Sequence, residues 1–364
     1  MCTPPQRGGG GVSAYPEVAV TDPQERFRQG GTRVKRWSKA VLVLAVLAVA
    51  VTMVGLRPAP AAGPAKLVLV FVPSTQTETV LFNGGQIARM LSTVLGIPVE
   101  AVVSTSFVAA VEAMCAGRAD IGALNPFSYV LAHEKCGVEV AAISVRFGLP
   151  YYRAQISVGA DTGITKVEQL QGKRFAFVDP ASTSGYLFPA AMLKKMNYDP
   201  DKFFGQTVFA GSHPNVILAI YRGQVDGGAT FEDARSTVQR QFPDVLDKVK
   251  PIAWTDPIPN DTWSVSATLP ADLKAKIKDR LLRIAQTTEG KDALKGLYEI
   301  EGLTATVELT DAQVQQLGLQ FTPDIAERMT RKGNKVGIPV GDWYFQSIRD
   351  AARLLGLDLQ KLAR

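Results

Sequence analysis

Three hydroxyl residues in a row, Ser182, Thr183 and Ser184, close the stretch Asp179-Pro180-Ala181-Ser182-Thr183-Ser184-Gly185, which lies between an apolar run at Arg174–Val178 and a helix-like run at Tyr186–Met196. A strand, a hydroxyl-rich turn and a helix in that order leave unpaired backbone N–H groups pointing into the space before the turn. The helix dipole adds partial positive charge there, so phosphate-like or carboxylate groups fit the place, although the same residues also serve as an ordinary helix cap. His213, near the start of a helix at Asn215–Tyr221, could donate to an anion or merely cap that helix. Asp233 could meet a ligand amine, accept a P–O–H proton, or complement the dipole of a helix at Glu232–Phe242. Ser184, His213 and Asp233 are also the residue types of a nucleophile, a base and an orienting acid. The chain carries no G-x-S-x-G, S-x-x-K, Walker A or H-E-x-x-H pattern, which argues against hydrolysis and for binding without chemistry.

The elements that must position these groups form two series. Strand-like and helix-like runs alternate from Leu67 to Val145 and again from Gln155 to Trp254, the pattern of parallel sheets covered on both faces. Gly117-Arg118-Ala119-Asp120-Ile121-Gly122-Ala123 is echoed by Gly223-Gln224-Val225-Asp226-Gly227-Gly228-Ala229, as expected for two lobes of like topology. Residues 66–150 with 260–364 are assigned to lobe 1 and residues 151–259 to lobe 2, with links at Phe147–Tyr152 and Trp254–Trp263. Ser264–Thr268 is expected to return as a strand to lobe 1, and helices are expected to finish the chain. Ligands of such sheets sit off the carboxyl ends of strands. The loops Pro73–Thr77, Asn125–Tyr129 and Thr230–Asp233 therefore join the hydroxyl turn as candidates around one cleft.

With 364 residues and 46% hydrophobic content, two domains are the better expectation. Five of the six formal positive charges lie in residues 1–61, which hold eight basic and three acidic residues, so the body is nearly neutral and offers no basic stripe for nucleic acid. Residues 1–39 read as a disordered basic region, for which an early start codon accounts equally well. Within residues 40–61, Ala40–Leu56 is a 17-residue run without a charge, preceded by Arg33, Lys35, Arg36 and Lys39 and followed by Ala59-Pro60-Ala61. That is a signal peptide or an uncleaved N-terminal membrane anchor, and either places the body outside the cytoplasm, in the periplasm or at the cell surface. In an oxidising compartment Cys115 and Cys136 are expected to form a disulfide, worth roughly 3 kcal/mol by chain entropy. No metal or cofactor is expected, since two cysteines and two distant histidines lack ligand spacing.

Val178–Pro189, Ala210-Gly211-Ser212-His213-Pro214-Asn215-Val216-Ile217 and Gln224-Val225-Asp226 resemble the phosphate/phosphite/phosphonate-binding proteins of ABC importers, over roughly Leu67–Leu303. The resemblance implies a type II periplasmic-binding-protein fold of two Rossmann-like α/β lobes around a ligand cleft, a phosphorus oxyanion as ligand, an ABC permease as partner and a monomeric state. It places oxyanion-binding hydroxyls at Ser182, Thr183 and Ser184, a histidine contact at His213, hydroxyl contacts at Thr75 and Thr77, and an acidic position at Asp233, with Glu232 leaving the register open by one. The family often carries an aromatic after the third strand. Here the order is Leu124-Asn125-Pro126, so Tyr129 is the candidate replacement. The other readings are a phosphoester or pyrimidine-type enzyme on the same fold, and an anion-sensing ectodomain of an anchored signalling system.

Overall fold

A computed structural model describes residues 64–362, all within one compact unit, Ala62–Arg364. The basic region 1–39 and the leader 40–61 lie outside the described residues. Strands and helices alternate first as β1 (Leu67–Phe71), α1 (Thr77–Leu95), β2 (Val99–Val103), α2 (Phe107–Cys115), β3 (Ile121–Leu124), α3 (Pro126–Cys136) and β4 (Glu139–Val145). The chain then crosses at β5 (Tyr151–Tyr152) into β6 (Ala154–Gly159), β7 (Arg174–Phe177), α4 (Phe188–Lys195), β8 (Gln206–Phe209), α5 (His213–Tyr221), β9 (Gly227–Phe231) and β10 (Val249–Trp254). It returns at β11 (Ile258–Pro259) to β12 (Thr262–Val265), α6 (Ala271–Ile284), α7 (Thr288–Tyr298) and β13 (Gly302–Thr304). Last come β14 (Thr306–Thr310), β15 (Thr330–Lys332), β16 (Lys335–Pro339) and α8 (Gln346–Leu354).

Two sheets organise these elements, one in the order β13-β4-β12-β3-β1-β2 and one in the order β10-β6-β9-β7-β8. Their central strands are near-continuous apolar runs because helices cover both faces. β1, for instance, is Leu-Val-Leu-Val-Phe with four of its five residues buried. On α1, Val80, Ile87, Ala88 and Leu91 recur at helical spacing and are buried. On α6 the buried face is Leu273, Ile277, Leu281 and Ile284. The sheets are mixed rather than parallel: β12 runs antiparallel to β3 and β4, and β6 antiparallel to β9 and β10. β6 and β12 are each entered directly from a crossing instead of through a covering helix, and the edge strand β13, which follows α7, also runs antiparallel to its neighbour β4. The two crossings pair with each other as β5 and β11.

The internal echo is structural. Gly117 and Gly223 each end a helix with φ at 66°, a left-handed conformation that favours glycine. Asp120 and Asp226 then accept the N–H of Val68 and of Arg174, each at 2.8 Å, and so tie each strand to its neighbour.

The C-terminal region holds more than helices. β14, β16 and β15 form a three-stranded antiparallel sheet turned at Lys332-Gly333-Asn334-Lys335, with Gly333 at φ 61°. The same region braces the crossing, since the Tyr344 hydroxyl donates to the Pro150 carbonyl (3.0 Å) and Arg349 pairs with Glu134 and Asp342 (both 2.9 Å). Cys115 and Cys136 are disulfide-bonded and join the ends of α2 and α3.

Candidate functional site

A cavity of about 480 Å³ opens where the carboxyl ends of β1, β3, β7 and β9 converge from the two sheets. Ser182, Ser184, His213 and Thr75 line it, so four of the residues expected from sequence come together. Ser182 is the N-cap of a π-helical turn, Thr183–Leu187, that runs into α4. Its Oγ accepts the Gly185 N–H at 3.1 Å, which leaves its own proton to donate. Ser184 is 3% exposed. The first N–H groups of this turn have no partner within the helix, so backbone and hydroxyl donors share one end.

Thr183 takes a different part. Its Oγ1 accepts from Asn125 Nδ2 and from the Phe127 N–H, both at 2.8 Å, and the side chain is fully buried between the sheets. It therefore fastens the turn to the start of α3 instead of facing the cavity. Asp179 braces the turn from its other side, accepting the N–H of Ala181 (2.8 Å) and of Phe107 (3.3 Å), while burial pushes its carboxyl up. Thr183→Val should strand the Phe127 N–H and one N–H of the Asn125 amide, whose other N–H stays on the Ala181 carbonyl, and destabilise the chain by about 2 kcal/mol. Urea denaturation would measure this, and a loss below roughly 0.5 kcal/mol would contradict the bracing role.

His213 is 3% exposed, its ring centroid 4.6 Å from that of Phe231. Its Nδ1 accepts the Phe231 N–H at 3.2 Å, so the proton resides on Nε2 and that nitrogen is a donor. Burial, with Arg146 adding to it, lowers the imidazole pKa to about 3, and the ring is neutral at physiological pH.

The other expected residues lie apart from the cavity. Thr77 is exposed at the first position of α1. Tyr129 is buried against Phe345 and donates to Asp342 (3.2 Å), and so faces the C-terminal region. Asp233 adopts a left-handed conformation (φ 61°), pairs with Arg235 at 2.9 Å and lines a neighbouring cavity of about 430 Å³ together with Glu232. With its carboxylate on Arg235 and His213 Nδ1 on a backbone N–H, no acid orients the imidazole, and a Ser184-His213-Asp233 triad is not formed.

Sequence reasoning did not anticipate Arg146 and Asp261. They reach the cavity from the two crossings, and Arg146 Nη2 bonds Asp261 Oδ2 at 2.6 Å. Burial pushes the Asp261 carboxyl up and Arg146 opposes it. Tyr152 beside them is also pushed up, first by burial and then by Asp261. The available cue was a lone arginine closing the apolar run Ala141–Val145, and an aspartate just past Pro257 and Pro259.

A family model described as ABC transporter, phosphonate, periplasmic substrate-binding protein matches residues 69–313. The Phosphate-import protein PhnD of Mycolicibacterium smegmatis is 31% identical over 180 residues, which cover 46% of this chain and 56% of that protein. The Phosphonates-binding periplasmic protein of Escherichia coli is 29% identical over 209 residues, covering 56% of this chain and 61% of that protein. The chain thus spans less than two thirds of the length of these curated relatives. Among solved structures, PhnD1 from Prochlorococcus marinus in complex with methylphosphonate superimposes with a TM-score of 0.65 at 17% identity, over 81% of this chain and 99% of that one. This likeness establishes the two-lobed fold.

Proposed function

Since this chain belongs to the periplasmic substrate-binding family of phosphonate ABC transporters, we propose that it captures a phosphonate, phosphite or phosphate outside the cytoplasm and delivers it to a membrane permease. The observation that carries this reading is the concentration of donors in the cavity: the Ser182 and Ser184 hydroxyls, the first N–H groups of the π-helical turn and His213 Nε2–H. Such a set suits an acceptor-rich oxyanion and offers nothing to a neutral apolar ligand. Residues 66–150 with 260–364 act as one lobe and residues 151–259 as the other, hinged at the paired crossings β5 and β11, and they close on the ligand as a monomer. Ser182, Ser184, His213 and Thr75 contact the oxyanion. Asp233 and Glu232 stand in the adjoining cavity, and Thr183 acts through the turn it holds. The leader exports the body or tethers it to the membrane.

Calorimetric titration of the full chain, solubilised in mild detergent and freed of bound ligand, with methylphosphonate, phosphite and phosphate tests the reading. Binding of at least one is expected. Ser182→Ala and Ser184→Ala should each weaken it about tenfold or more, the equivalent of one charge-assisted hydrogen bond. Heatless titrations with all three anions, or two serine variants that bind as the parent does, would overturn it.

A further inference from the structure

Arg146 closes β4 and Asp261 precedes β12, so their ion pair stands where both crossings meet the cavity floor. The guanidinium side chain is 10% exposed and the carboxylate 20%. Arginine carries five N–H donors in a planar fork. One meets Asp261, whereas the buried Nε–H has no partner. The Nη N–H groups not on Asp261 are the donors left for a further acceptor, and the anion already has one oxygen committed to arginine. Among the described residues that line this cavity, Glu299 is the one other acid. Asp233 is bonded to Arg235 in the neighbouring cavity beside Glu232, and Glu299 is exposed at the mouth. Arg240 and Lys295, also at the cavity, add two more cations.

Resting on the oxyanion reading above, we propose that Arg146 sets the charge selectivity of the cavity. It engages the ligand's oxyanion and, by occupying Asp261, withholds the one interior carboxylate from any ammonium-bearing tail. The cavity then favours small oxyanions without a cationic substituent over aminoalkylphosphonates. An ammonium placed beside Arg146 would meet a like charge in surroundings where Coulomb interactions are about fourfold stronger than in water. An oxyanion in the same place gains a charge-assisted, directional donor.

The test compares methylphosphonate with 2-aminoethylphosphonate by calorimetry on the full, ligand-free chain in detergent. The parent should prefer methylphosphonate by about tenfold or more. Arg146→Gln releases Asp261 and should shift that ratio about tenfold toward the amine. Asp261→Asn should keep the parent's preference, because the carboxylate was not serving an amine. Should Arg146→Gln fail to fold, Arg146→Lys replaces it: the charge remains, so the preference should persist while methylphosphonate binds more weakly for want of the fork. A parent that binds both ligands equally, or an Asp261→Asn variant that selectively loses 2-aminoethylphosphonate, overturns the role of Arg146 and leaves the oxyanion reading intact. If neither ligand nor phosphate binds the parent, both fall together.

Discussion

Gly185→Ala is expected to weaken oxyanion binding by about a hundredfold. A Cβ at this position would lie 2.4 Å from Val178 Cβ and Cγ2 and 2.8 Å from Ser182 Oγ. Val178 is fully buried just past β7, and its N–H donates to the Gly185 carbonyl at 3.1 Å, so it cannot recede without breaking the join between strand and turn. Shortening Val178 to alanine would not help, because its Cβ is itself in the clash. The turn must open instead, which removes the Gly185 N–H from Ser182 Oγ and turns the donors away from the cavity. Overpacking of this kind costs about 1–3 kcal/mol of stability. Losing two aligned charge-assisted donors costs affinity on the order of a hundredfold. Calorimetry with methylphosphonate beside a thermal melt would separate the two effects. A folded Gly185→Ala chain that binds within tenfold of the parent would show that the turn does not seat the anion.

The sequence made the turn legible because everything that builds it is local: a strand, a cap and a glycine within a dozen residues. It could not assign the three hydroxyls individually. Successive residues at a helix start project about 100° apart, so Ser182, Thr183 and Ser184 cannot all face one ligand. Thr183 is the one directed at α3, where Asn125 and Phe127 wait for an acceptor. The echo was readable for the same local reason, since a helix-ending glycine followed by a strand-binding aspartate is a contiguous device.

What escaped depends on distance along the chain or on backbone conformation. Arg146 and Asp261 are 115 residues apart and meet only because both crossings pass the same spot. Asp233 has a left-handed backbone and its carboxylate pairs with Arg235, which neither its residue type nor its spacing announces. The reversed strands β6 and β12 look like parallel ones in composition, because direction is set by the route of the chain. The C-terminal hairpin did carry a turn signal, Lys332-Gly333-Asn334-Lys335, but the strand before it, Thr330–Lys332, is too short and too charged to stand out from its helix-like neighbours.

Acid should unfold this protein through His213. On unfolding, the imidazole regains its ordinary pKa near 6.5. Between that value and about 3, the unfolded chain therefore holds a proton that the folded chain does not. Stability contributed by the neutral ring is complete above pH 6.5 and is lost as pH falls toward 3, by about 1.4 kcal/mol per unit once the proton is fully bound in the unfolded state. From pH 7.5 to 4.5 the loss comes to about 2–3 kcal/mol. Asp261 works in the opposite sense, since its raised pKa means that protonation at low pH relieves a buried charge, so the raw acid profile mixes both. His213→Asn isolates the histidine: its amide oxygen can still accept the Phe231 N–H, while the titrating ring is gone. Urea denaturation at the two pH values should give a slope for the variant flatter by about those 2–3 kcal/mol. Equal slopes in parent and variant would mean that the ring is not buried neutral. The same neutrality fixes its part in binding: Nε2–H donates unchanged from pH 8 down to about 5, so acidification in that range should alter affinity only through the ionisation of the oxyanion itself.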